Sequence, residues 1–168
     1  MQRRHFFHLA LAAATFAALP LRALAQAPTK VKRLMKTKEQ WKALLDGKRY
    51  EILFEDGTER AGTSELNQEK RKGTFVCAAC NFPLFTSDKK FESGTGWPSF
   101  FDFIPDALGT KRDSKFFMVR TEYHCARCGG HQGHVFDDGP KPTGLRYCNN
   151  GLALLFIPET EKALELRS

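Results

Sequence analysis

A mainly β, antiparallel domain with one short N-terminal helix and a four-cysteine zinc site is what this sequence of 168 residues predicts. Three observations carry that expectation. Short β-prone runs recur between turns rich in Gly, Pro, Asn and Asp, and helical periodicity is confined to one segment. The cysteines also sort by spacing: Cys77/Cys80 and Cys125/Cys128 form two Cys-x-x-Cys pairs, and Cys148 stands alone. Each such turn aims two thiolates at one cation, and two turns complete the closed tetrahedral S4 shell that structural Zn²⁺ prefers.

The helix is expected from Thr37-Lys38-Glu39-Gln40, which reads as a capping box. Trp41, Leu44 and Leu45 follow on one face, and Gly47 is expected to end the turn. Tyr50–Phe54 is apolar and β-prone and reads as a strand, with Glu55-Asp56-Gly57 as a turn after it. Thr74–Val76 leads into the first Cys-x-x-Cys and Phe82–Phe85 leaves it. Phe116–Arg120 leads toward the second pair, and Leu152–Ile157 forms a strand near the C-terminus. Ser93–Phe100 and Asp137–Pro142 carry the Gly and Pro of ordered loops.

The expected organisation is an export signal over residues 1–25, a basic linker over 26–36, a catalytic domain over 37–158 and a tail over 159–168. Arg3 and Arg4 precede an apolar run from Leu9 to Leu19, and Ala23-Leu24-Ala25 offers a cleavage site. That run is too short to cross a hydrocarbon layer of ~30 Å, so no stable membrane span is expected after cleavage. The paired arginines before Phe6 and Phe7 resemble a twin-arginine signal, although Gln2 stands where Ser or Thr is usual; general export is the other route that fits. A periplasmic or cell-envelope location follows.

Loss of Arg3, Arg4 and Arg22, with no acid, takes the formal charge from +7 to +4. The basic runs Lys30–Arg33 and Lys70–Lys72 are short and lack interleaved aromatics, which argues against nucleic-acid binding. Five cysteines, an odd number, also do not fit a fully bridged framework. Two Cys-x-x-Cys disulfides are the rival account, but bridges at that spacing are strained, and zinc suits the pairs better.

Cys148 is then the one thiol left for nucleophilic chemistry. Arg146, at i−2, shares its strand face if the segment is extended, and a fixed cation there favours thiolate. His131 and His134 are candidates for acid–base work beside it. Trp97, between Gly96 and Pro98, stands on a loop built for close backbone approach, although a core tryptophan is the plainer reading.

Ser93-Gly94-x-Gly96-Trp97-Pro98-Ser99-Phe100, Gly133-His134-Val135-Phe136-Asp137-Asp138-Gly139-Pro140 and Arg146-Tyr147-Cys148-x-Asn150, framed by the two Cys-x-x-Cys pairs, resemble the methionine sulfoxide reductase B family. The likeness runs from about Thr37 to about Ile157. It implies two antiparallel sheets packed as a tent and a zinc clamp away from the active site. It also implies reduction of methionine R-sulfoxide in proteins through a sulfenic acid on Cys148. By the same resemblance His134 protonates the sulfoxide oxygen with His131 and Asn150 assisting, Arg146 and Asp138 support, and Trp97 packs against the substrate methyl. Many members carry a resolving cysteine where this chain has Thr95, and an apolar residue where it has Asn149. A small thiol or thioredoxin-like reductant is therefore expected, acting on a monomer.

Overall fold

The computed structural model describes residues 31–114 and 119–168. The expected export signal, the start of the linker and Phe116–Met118 of one expected strand lie outside the described residues.

Helix α1 spans Lys38–Leu44, and Thr37 caps it as expected. Thr37 Oγ1 accepts from the Gln40 amide at 3.3 Å, and Gln40 Oε1 accepts from the Thr37 amide at 2.8 Å. Trp41 turns inward, whereas Leu44 stays 50% exposed, so the apolar face is narrower than its periodicity suggests.

Tyr50–Phe54 is not a strand. It belongs to α2, Gly47–Phe54. Asp46 decides this: its Oδ1 accepts from the Arg49 amide at 3.0 Å, so Gly47 opens a second helix instead of closing the first. Tyr50, Leu53 and Phe54 then fall at helical spacing, and Phe54 stacks on Trp41 with ring centroids 5.1 Å apart.

Nine strands follow among the described residues: β1 Gly73–Cys77, β2 Pro83–Thr86, β3 Lys90–Phe91, β4 Ser99–Phe100, β5 Leu108–Asp113, β6 Arg120–Cys125, β7 His131–Phe136, β8 Arg146–Asn149 and β9 Leu154–Pro158. They build two antiparallel sheets, ordered β2-β1-β9 and β3-β4-β8-β7-β6-β5. The expected strands at Thr74–Val76 and Phe82–Phe85 fall on β1 and β2. The one at Leu152–Ile157 begins with a 3-10 turn over Gly151–Ala153 and becomes strand only at Leu154.

Aromatic side chains weld the sheets together. Phe85 of β2 stacks on Phe100 of β4 at 4.1 Å and meets the rings of Tyr123 and Tyr147 at 6.2 and 6.3 Å. Phe75 of β1 contacts Phe100 edge-on at 4.9 Å. Each fully buried Phe contributes about 1.5–3 kcal/mol by leaving water. Such ring pairs add about 0.5–1.5 kcal/mol.

Both ends of the described chain are tied to the cysteine turns. The Leu34 amide donates to the Arg127 carbonyl at 2.7 Å, and the Arg167 amide donates to the Cys80 carbonyl at 3.2 Å. Arg127 Nη2 donates to the Arg167 carbonyl at 2.6 Å. No described helix is long and apolar enough to cross a membrane.

Candidate active site and metal centre

Strand register sorts the six-stranded sheet into a core face and a chemical face. Tyr123, Gly133 and Asn149 align across β6, β7 and β8, as do Thr121, Val135 and Tyr147. Phe100 of β4 lies beside Tyr147, and this face meets the aromatic core. The alternate positions are Glu122, His134, Cys148 and Ser99 in one row, with Arg120, Phe136 and Arg146 nearby. Because side chains alternate along a strand, His134 and Cys148 emerge side by side on the second face.

His131 and His134 differ by three residues and would lie on opposite faces of a regular strand. A bulge prevents this. Tyr123 pairs with Gly133 but His124 pairs with His131, leaving Gln132 as the extra residue. Both imidazoles thereby reach the chemical face, with ring centroids 5.5 Å apart.

Each histidine has a carboxylate. His134 Nε2 lies 2.8 Å from Asp113 Oδ2, to which Arg120 Nη2 also donates at 2.7 Å. His131 Nδ1 lies 3.1 Å from Glu122 Oε1, an ion-pair distance without hydrogen-bond alignment, and Lys111 Nζ sits 3.0 Å from Glu122 Oε2. Burial raises the Glu122 carboxyl, but His131 and Lys111 outweigh it and hold the group below its ordinary value. Burial pushes His134 below the usual imidazole value; Arg120 and His131 add to this, and Asp113 opposes it.

Burial likewise raises the Cys148 thiol, against the pull of Arg146 and of the nearby Thr95 hydroxyl. Arg146 is held by a bidentate pair with Asp138, at 2.7 and 2.8 Å, and lies over the Phe136 ring at 4.3 Å. The resting pair is therefore a protonated thiol beside a neutral imidazole.

A cavity of about 180 Å³ opens over Cys148 and His134, walled by Trp97, Phe136, Arg120 and Asn150. Of the residues singled out in the sequence, Cys148, His134, Trp97 and Asn150 line it. His131, Arg146 and Asp138 do not; they stand behind it through the contacts above. Asn149 turns to the core, where its Oδ1 accepts from Tyr123 Oη at 2.9 Å. That buried hydroxyl gives a polar residue its reason to occupy an inward position.

Sequence reasoning missed Asp113, Arg120, Glu122 and Glu59. The first three sit among surface-like charges and become a site only through cross-strand register. Glu59 is buried: its carboxylate accepts from the Gly151 and Leu152 amides, its amide donates to Asn150 Oδ1 at 3.2 Å, and its carbonyl accepts from Trp97 Nε1 at 3.3 Å. One residue thus holds two cavity walls. No local pattern signals it.

The other four cysteines converge. Their Sγ atoms all lie within 4.8 Å of one another, with Cys77–Cys128 at 3.6 Å and Cys80–Cys125 at 3.7 Å. A tetrahedron with metal–sulfur bonds of about 2.3 Å has edges of about 3.8 Å, which these distances match. The close approaches run between the two turns, as a shared ion requires, and all five cysteines are free thiols. Asn81 and Gly129, each following a second cysteine, adopt φ of 59° and 76°, the left-handed conformation that bends both turns alike. The donor set fits a structural metal centre and is consistent with zinc.

The SelR domain matches residues 45–158 of this chain. The chain is 51% identical over 131 residues to a peptide methionine sulfoxide reductase MsrB of Methanosarcina barkeri, covering 77% of this chain and 92% of that one. It is 53% identical over 125 residues to the MsrB of Leptospira interrogans, covering 74% and 95%. With the MsrB of Pseudomonas putida strain W619 it shares 50% over 129 residues, 76% and 97% of the two chains. Two sheets, the four-cysteine cluster, a family match over residues 45–158 and half-identical relatives matched over nearly their whole length lead to one conclusion: this chain belongs to the SelR-domain family of peptide methionine sulfoxide reductases of the MsrB type.

Proposed function

We propose that this protein reduces the R epimer of methionine sulfoxide in oxidised proteins, as a peptide-methionine (R)-S-oxide reductase. The observation that carries the reading is the direct cross-strand pairing of Cys148 with His134 beneath a cavity walled by Trp97 and Asn150.

Cys148 transfers its proton to His134, and the thiolate, supported by Arg146 and Thr95, attacks the sulfoxide sulfur. As the S–O bond yields, charge gathers on oxygen and His134 returns the proton there. The products are methionine and Cys148 sulfenic acid. The bond made between Cys148 Sγ and the substrate sulfur then breaks as the oxygen passes with its proton to Sγ: the substrate sulfur leaves with the electron pair, gaining two electrons, and Cys148 sulfur loses two. Trp97 offers an apolar wall to the methyl group; the opposite epimer would press its oxygen against that wall without a partner.

Cys77, Cys80, Cys125 and Cys128 hold one structural Zn²⁺. With Thr95 in place of a resolving cysteine, a small thiol or thioredoxin-like donor reduces the sulfenic acid. The protein acts as a monomer, exported by residues 1–25, and repairs proteins in the periplasm or cell envelope.

Epimer-resolved turnover tests the activity: a peptide carrying R-sulfoxide should be reduced by the native protein and not by Cys148→Ser, and the S form should be spared. Turnover of the S form, or of neither, contradicts the reading. Fractionation of cells making the full chain should recover a shortened protein outside the cytoplasm; a full-length cytoplasmic product contradicts export.

A further inference from the structure

Asp113 and Arg120 face each other at the last register position of the β5–β6 pair, and neither belongs to the three motifs that define the thiol site. Their geometry bears on His134. The Asp113 side chain is 8% exposed, and a single oxygen, Oδ2, receives both His134 Nε2 at 2.8 Å and Arg120 Nη2 at 2.7 Å. The guanidinium fixes the carboxylate, and the carboxylate fixes the ring. Arg120 also lines the cavity above Cys148.

We propose that Asp113 is a positioning residue for His134, holding the proton of the resting imidazole on Nε2 and leaving Nδ1 to exchange protons with Cys148 and the substrate oxygen. This rests on the reading of His134 as the acid–base group. A carboxylate bonded to one imidazole nitrogen selects the tautomer and stabilises the imidazolium that forms in the reaction. Without Asp113, Arg120 would remain beside His134 and disfavour that imidazolium.

The other charged and titratable groups around His134 do not duplicate this role. Glu122, opposite it on β6, is engaged by His131 and Lys111; His131 lies behind on β7; Cys148 is its partner on β8. Asp113 is the carboxylate within hydrogen-bond distance of the His134 ring among the described residues.

The experiment compares native protein, Asp113→Asn and Arg120→Gln in single-turnover reduction of a methionine R-sulfoxide peptide across pH. Asp113→Asn should lower the plateau rate by roughly ten- to a hundredfold and move the acid limb to lower pH. Arg120→Gln should move that limb the opposite way, to higher pH. A merely structural role would leave both limbs in place or move them alike, and either result overturns the proposal. Should either variant fail to fold, ¹⁵N–¹H correlation spectra of the native imidazoles decide: an Nε2–H tautomer for His134 is expected, and an Nδ1–H tautomer overturns it. That spectrum needs no turnover, so an inactive native protein would sink the proposed activity while leaving the tautomer assignment readable.

Discussion

Gln132 joins Cys77 of the cysteine cluster to the strand pair that carries His134 and Cys148. Its Nε2 donates to Cys77 Sγ at 3.5 Å, and its backbone carbonyl accepts from the Asn150 amide at 2.8 Å. Gln132 is also the extra residue of the bulge that brings His131 and His134 to one face. The metal end and the thiol end are therefore coupled through one buried side chain and its own backbone.

Loss of the metal should consequently reach the active site. Thiolate ligation contributes about 10 kcal/mol or more in small metal-binding domains, so Cys125→Ser should lose its ion and unfold at much lower temperature. Elemental analysis should find one zinc per native chain and none in the variant. A metal-free Cys125→Ser protein with native melting behaviour and full activity would refute this.

Replacing Cys148 alone should leave the scaffold untouched. Cys148→Ser should show no detectable sulfoxide reduction with zinc content and melting temperature unchanged, since serine is a far weaker nucleophile at neutral pH. His134→Ala should slow the chemical step by roughly 10²–10⁴. Single-turnover rates near native in either variant would show that the roles are misassigned.

The pH dependence follows from the two opposed shifts. His134 titrates below the ordinary imidazole value and Cys148 above the ordinary thiol value. The reactive form holds one proton between them, so a second proton on His134 slows the reaction as pH falls. Loss of the remaining proton slows it as pH rises through the Cys148 value. Single-turnover rates should therefore form a plateau wider on both sides than a free thiol and imidazole would give. A rate climbing steadily through the neutral range as thiolate accumulates would contradict the assignment.

Recycling should need an outside thiol. Thr95, whose hydroxyl bears on the Cys148 thiol, offers no second sulfur, and the other four thiols are gathered in the cluster. After one turnover without reductant, mass spectrometry should find a dimedone adduct on Cys148 and zinc still bound. An internal disulfide with zinc release would mean that a cluster cysteine doubles as the resolving thiol.

Gly133 is a steric requirement. A Cβ there would collide with the Cys148 carbonyl oxygen and press on Asn149 Cα at 3.2 Å. Gly133→Ala should push β7 from β8 and disrupt the His134–Cys148 pairing, cutting activity at least as severely as His134→Ala while lowering the melting temperature. Native activity and stability in that variant would mean that the strands separate more easily than this contact implies.

Short-range chemistry was legible in the residues themselves. The Thr37 capping box, the two Cys-x-x-Cys turns, the shared face of Arg146 and Cys148 and the strands around the first cysteine pair each depend on groups a few positions apart. Tyr50–Phe54 is helical against the β-preference of its own side chains, because the Asp46 cap starts a helix before them.

The rest is a matter of register. Which carboxylate meets which histidine, whether His131 shares a face with His134, and whether Asn149 points to solvent or to Tyr123 depend on how β5, β6, β7 and β8 align. A slip of one residue would send every side chain to the other face. The sequence alone determined the chemistry available, four thiols paired for a metal and one left outside the pairs. Tertiary structure decided the geometry, because pairings between distant strands are selected by the whole core and carry no local signature.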